Sequence, residues 1–182
     1  MEFRTYAFDG VGVKIMGRNE LEALSRKGFT EGTYVISIVD TDAPLVRLAK
    51  KPAGTLRLMF DDVSGREDPL SCQVMADVDN ENPASPITPF QGRRIARFID
   101  ENRPHMEYLI CQCEMGQSRS AAVAAAAIEH YTGLRSGIFD DKRYYPNRLV
   151  YRTVLDALRL QDEEKAEGVR GAQAVGGGRE NG

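Results

Sequence analysis

Along the chain the spacing of hydrophobic positions changes several times, and each change marks an element. Val11-Gly12-Val13-Lys14-Ile15-Met16 alternates, which predicts a strand. Gly17-Arg18-Asn19-Glu20 then opens a helix, with Asn19 as the expected cap, Leu21 and Leu24 on the inner face and Gly28 as the stop. Residues 34–39 are nearly continuous in apolar and β-branched side chains, as expected of a strand covered on both faces. Residues 55–60 read as a third strand. Thr88-Pro89 stand in the order that starts a helix, Ile95, Phe98 and Ile99 form its buried stripe, and Pro104 ends it. Arg93, Arg94 and Arg97 fall mostly off that stripe, on a solvated face. A short apolar strand then runs to Cys113, and an alanine-rich helix over 120–131 follows a tight loop. After Pro146-Asn147 a last helix turns Val150, Val154, Leu155 and Leu158 inward. Strands alternating with helices predict an α/β fold, a three-layer α/β/α domain around a short, mainly parallel sheet.

Two stretches lack this order. From 64 to 87 there is no sustained period, and acids gather at Glu67, Asp68, Asp77, Asp79 and Glu81. It reads as a long loop with one short element near 71–75. Loops of that length in a compact domain serve function or move, so a lid over the ligand loop is expected. Beyond Gln161 there are no aromatic residues and six of the last 22 positions are glycine, which predicts a disordered tail over 161–182 behind a single domain over 1–160.

The totals narrow the function. With 42% hydrophobic residues in 182, the chain can build one proper core. A formal net charge of -3 argues against a nucleic-acid or anionic-membrane partner. No run approaches the length of a membrane span and Met1-Glu2-Phe3-Arg4 does not begin a signal peptide, so a cytoplasmic location is expected. Three cysteines make no disulfide framework. Cys111 and Cys113 face the same side of their strand, but with Cys72, His105 and His130 they do not reproduce zinc-site spacing, and no metal is expected. Cys111 reads as a small buried filler and His130, near the end of its helix, as structural.

The chemistry gathers at Cys113-Glu114-Met115-Gly116-Gln117-Ser118-Arg119-Ser120, between the strand and the alanine helix. Consecutive loop amides beside a helix N-terminus form a nest for an anion, so Glu114, Met115, Gly116, Gln117, Ser118 and Arg119 are the expected phosphate-binding residues. Gly116 supplies the backbone angle that such a turn demands. Cys113, at the helix mouth beside a guanidinium, is expected to ionise readily and act as nucleophile. Arg119 offers a flat fork for two phosphate oxygens. Ser120 can assist the sulfur as a leaving group.

Cys113-x5-Arg119-Ser120, with Gly116 and Ser118 inside, resembles the signature of cysteine-dependent protein tyrosine phosphatases, closest to the dual-specificity branch and its small bacterial members. Pro146-Asn147 before the last helix is a second match and extends the likeness over about 35–160. The resemblance implies a protein tyrosine phosphatase-like fold and hydrolysis of phosphate monoesters, on protein or small phosphate esters, through a cysteinyl-phosphate and without a cofactor. It also implies an aspartate from a loop as general acid. Asp62, at the end of the third strand, is the first choice and Asp61 the second, with Asp77 and Asp79 left open. The family's histidine before the nucleophile is Gln112 here, which can donate a hydrogen bond but no charge. A reader of phosphoprotein that does not cleave it, and a sulfurtransferase or arsenate reductase, are the alternatives. Asp40-Thr41-Asp42 and Tyr144-Tyr145 could border the pocket, though turn chemistry and core packing explain them as well.

Overall fold

The computed structural model describes residues 6–63 and 84–176. Strands β1 (Tyr6–Phe8), β2 (Val11–Met16), β3 (Thr33–Val39), β4 (Gly54–Met59) and β5 (Tyr108–Gln112) form one sheet in the order β1-β2-β5-β3-β4. β5 runs parallel to β2 and β3, and β3 parallel to β4; only β1 is antiparallel to its neighbour. The ends of β2, β3, β4 and β5 therefore open onto one edge of the sheet, the edge where ligand loops gather in α/β folds.

Among the described residues four helices cover the sheet: α1 (Arg18–Lys27), α2 (Pro89–Asn102), α3 (Arg119–Thr132) and α4 (Arg148–Gly176). Every residue of β3 is buried, and its side chains divide between two cores because they alternate across the sheet. Val35 and Val39 meet Leu21 of α1, Val46 and Ile110 on one face. Ile36 and Ile38 join Ile95 and Ile99 of α2, Val154 and Leu158 of α4, and the alanines of α3 on the other. In α3 all residues from Arg119 to Ile128 are buried. Side chains no larger than a methyl over most of that span let the helix lie close to the sheet, and this fixes where its first turn stands.

Two expectations are corrected and one strand is added. The cap of α1 is Gly17, not Asn19, because the Glu20 carboxylate accepts from the Gly17 amide at 2.7 Å and leaves Asn19 inside the helix. The first ten residues hold a strand that their mixed pattern hides: Asp9 and Gly10 take positive φ angles of 46° and 82°, the geometry of a tight hairpin, and fold β1 back on β2. Past Gln161 the chain stays helical to Gly176. Asp162-Glu163-Glu164-Lys165 are good helix formers, and the helix is tied down by Lys165 Nζ on Asp100 at 2.6 Å, Gln161 Nε2 on Asp100 at 3.0 Å and Asp162 on His130 at 3.2 Å. Three of the six glycines that suggested disorder, Gly168, Gly171 and Gly176, fall inside this helix. The element near 71–75, the proposed lid, Cys72, Asp77 and Asp79 lie outside the described residues.

Candidate functional site

The loop between β5 and α3 is shaped by where its carbonyls go. Glu114 O accepts from the Arg18 amide at 3.1 Å, Gln117 O from the Tyr145 amide at 2.9 Å, and Ser118 O from the amides of Ala122 and Asn147 at 2.9 and 3.4 Å. In a trans peptide the N–H points opposite to the C=O it is joined to, so the amides of Met115, Ser118 and Arg119 turn to the other side. Among the described residues no protein acceptor takes an amide of 114–118. Gly116 has φ 70°, and a Cβ there would stand 2.4 Å from Gly17 N and 2.5 Å from Met16 C. The loop is thus pressed on the β2–α1 corner with no room for a side chain at that point. The Arg18 guanidinium adds a clamp, with Nε 2.9 Å from a Glu114 carboxylate oxygen and Nη2 2.8 Å from Pro44 O.

Cys113, where the loop leaves β5, is 2% exposed and its Sγ lies 3.0 Å from Ser120 Oγ. Cys111, also buried, has its thiol pushed far up by burial, with Cys113 adding to the effect, which fits a filler and not a nucleophile. Gln112 is fully buried; its Oε1 accepts from Ser37 Oγ at 2.6 Å, while Nε2 has no partner among the described residues.

Arg119 is 3% exposed, and a buried guanidinium without a counter-charge would cost several kcal/mol. Its Nη1 donates to Phe60 O at 2.7 Å and pairs with Asp40 Oδ1 at 2.6 Å. Its Nε has no hydrogen-bond partner among the described residues; Asp62 Oδ2 stands 3.8 Å away, too far for one. The two neighbouring aspartates part company here. Asp61 is taken up by Thr41 (amide 2.9 Å, hydroxyl 3.0 Å) and the Ser85 amide (2.6 Å). Burial pushes its carboxyl up, but those amide and hydroxyl donors, with Arg119, outweigh it and hold the group below the ordinary range. Asp62 instead faces the loop: its Oδ1 accepts from Ser118 Oγ at 2.9 Å and Asn147 Nδ2 at 2.7 Å. Asn147 also donates to Val63 O at 2.9 Å and caps the start of α4 through Val150 N at 3.0 Å.

The fold brings Asp62 to the loop that carries Cys113, Ser118, Arg119 and Ser120, whereas Asp61 is turned to a neighbouring turn. Three contributors carried weak signals or none. Asp40 closes a fully buried strand, which placed it at the sheet edge but equally suited a turn. Asn147 was visible only through its Pro-Asn pair, and Arg18 through nothing. Met115 and Tyr145 stand at the rim, 75% and 71% exposed. A cleft of about 290 Å³ lies between α2 and α4, lined by Arg93, Arg97, Asp100 and Lys165 among others, and no loop residue borders it. Among the described residues no group of His, Cys, Asp or Glu is placed to hold a metal ion, and no helix is long and apolar enough to cross a membrane.

No protein-family model matches the chain, and no curated protein matches it. Solved structures do. PTPMT1 in complex with PI(5)P is 11% identical, covers 86% of this chain and 96% of its own, and superposes with a TM-score of 0.50. A mouse putative dual specificity phosphatase complexed with zinc tungstate is 14% identical over 91% of this chain and 94% of its own, TM-score 0.49. A human tyrosine phosphatase-like serine/threonine/tyrosine-interacting protein is 17% identical over 90% and 99%, TM-score 0.49. At these identities the likeness is one of fold.

Proposed function

We propose that this chain, which has the protein tyrosine phosphatase-like α/β fold, hydrolyses phosphate monoesters, on protein or small phosphate esters, through a cysteinyl-phosphate. The observation that carries this is Cys113 Sγ, 3.0 Å from Ser120 Oγ, on a loop whose main-chain amides over 114–118 meet no protein acceptor among the described residues. A phosphoryl group seated there has its equatorial oxygens on the amides and on the unbonded Nε edge of Arg119. The Cys113 thiolate forms the P–S bond as the P–O bond to the leaving group breaks. Asp62 gives its proton to the departing oxygen. A water molecule then attacks phosphorus and passes its proton to Asp62, the P–S bond breaks, and the Ser120 hydroxyl donates to the sulfur as it leaves. No cofactor takes part.

The test is hydrolysis of a panel of aryl phosphates of graded leaving-group acidity, with vanadate as competitor. Cys113→Ser should lower turnover by at least about 10⁴-fold and keep vanadate or phosphate binding. Asp62→Ala should slow poor leaving groups by about 10²–10⁴-fold and good ones much less. Equal effects across the panel would move the general acid elsewhere.

Gln112 favours a second reading, in which the loop captures phosphorylated protein without cleaving it, because the residue before the cysteine supplies no charge. Phosphate binding by wild-type protein with no turnover of the most labile aryl phosphate would decide for it.

A further inference from the structure

Asp40 belongs to none of the steps above, yet it makes the shortest contact to Arg119, 2.6 Å from Oδ1 to Nη1. The same nitrogen donates to Phe60 O at 2.7 Å. Nη1 lies cis to Cδ in the guanidinium plane, so two acceptors on it fix the plane and leave the opposite edge, which carries Nε and Nη2, as the free side of the fork. Nε is buried and has no hydrogen-bond partner among the described residues. A bidentate grip on a tetrahedral anion requires that edge, held in plane and facing the loop.

The turn that Asp40 begins touches the site at two further points. Thr41 binds the Asp61 carboxylate next to Asp62, and Pro44 O receives Arg18, which clamps Glu114 of the loop. The residues of this turn thus hold the arginine, the segment of the acid and the loop in one frame. We propose that Asp40 is a positioning residue that selects the Nε/Nη2 edge of Arg119 for the anion; this rests on the loop being the phosphate site proposed above.

The charge of Asp40 and its hydrogen-bond acceptance make opposite predictions. A carboxylate close to a dianion site repels the dianion, whereas a carboxylate that orients Arg119 improves the grip. Asp40→Asn keeps an acceptor oxygen and removes the charge; Asp40→Ala removes both. The experiment measures binding of inorganic phosphate by calorimetry in wild type, Asp40→Ala, Asp40→Asn, Arg119→Met and Asp40→Ala/Arg119→Met. Methionine fills the buried volume without stranding a charge, and thermal unfolding checks that each variant folds. Beside it, kcat and KM are measured on an aryl phosphate.

The expected result is an affinity about tenfold weaker in Asp40→Ala and within about twofold of wild type, or tighter, in Asp40→Asn. In the Arg119→Met background Asp40→Ala should change affinity by less than about twofold, because the group it acts through is gone. Tighter binding in both Asp40 variants would overturn the proposal and leave Asp40 as a repulsive charge only. An equal loss with and without Arg119 would overturn it as well. Coupled binding without any hydrolysis would sink the hydrolase reading and uphold the role of Asp40, so the two failures are distinguishable.

Discussion

At the start of α2, Thr88 Oγ1 accepts from the Gln91 amide at 3.2 Å and Gln91 Oε1 accepts from the Thr88 amide at 2.9 Å. At the start of α3 a residue of the same class, Ser118, makes no side-chain cap; its hydroxyl donates to Asp62 at 2.9 Å instead. Every helix begins with amides that lack an intrahelical partner. In α2 the helix satisfies them from its own sequence, and its first turn is closed to ligands. In α3 the capping hydroxyl is drawn away by Asp62, just past another strand, and the amides ahead of the helix meet no protein acceptor among the described residues. The difference lies in the tertiary partner and not in the capping residue, since serine and threonine cap with similar preference.

The sharpest way to break the comparison is Gly116→Ala. Its φ of 70° alone costs about 1–2 kcal/mol for a residue with a β-carbon, and the clash with Gly17 N at 2.4 Å forces the loop off the β2–α1 corner. Phosphate affinity should fall more than about tenfold with kcat/KM on an aryl phosphate falling further; the same change in a loop that merely connects β5 to α3 would cost stability and leave phosphate binding alone. A finer test sets Thr88→Ala against Ser118→Ala. The first should cost about 1 kcal/mol in chemical denaturation and leave activity unaltered. The second should cost less stability and slow poor leaving groups, because it frees Asp62 from one of its two donors; equal stability losses would show that Ser118 caps after all.

The smallest effect belongs to the other end of α3. Burial disfavours the charged form of His130 and outweighs the pull of Asp162, so its pKa in the fold lies below its unfolded value. A basic group lowered in this way leaves stability intact above an unfolded pKa of about 6.5 and erodes it as pH falls below that value. Denaturation from pH 8 to pH 5 should therefore show a steeper acid loss for wild type than for His130→Gln. A parallel pair of curves would mean that the Asp162 pair, and not burial, governs the residue.

The reading of the sequence reached different depths in different places. Strand and helix over β2, β3, α2, α3 and the first half of α4 follow from periods that are local, and the spacing of Cys113, Gly116 and Arg119 is itself a local geometry. The hairpin of β1 was equally local, since Asp9-Gly10 is a strong turn pair, but its three-residue strand is too short for a period to emerge. Beyond Gln161 the glycine content points to disorder, yet Gly168, Gly171 and Gly176 lie inside α4, because the charged stretch ahead of them is held by Asp100 and His130 from other helices.

Backbone periodicity and one loop spacing were enough to define the layers of this protein, the sheet edge that carries the loop and the sulfur and arginine at that edge, because each depends on residues a few positions apart. Only the folded chain could assign the carboxylates. Asp40, Asp61 and Asp62 are chemically alike, and what separates them is whether Arg119, Thr41 or Ser118 stands within 3 Å, a matter settled by strands that meet from distant parts of the sequence.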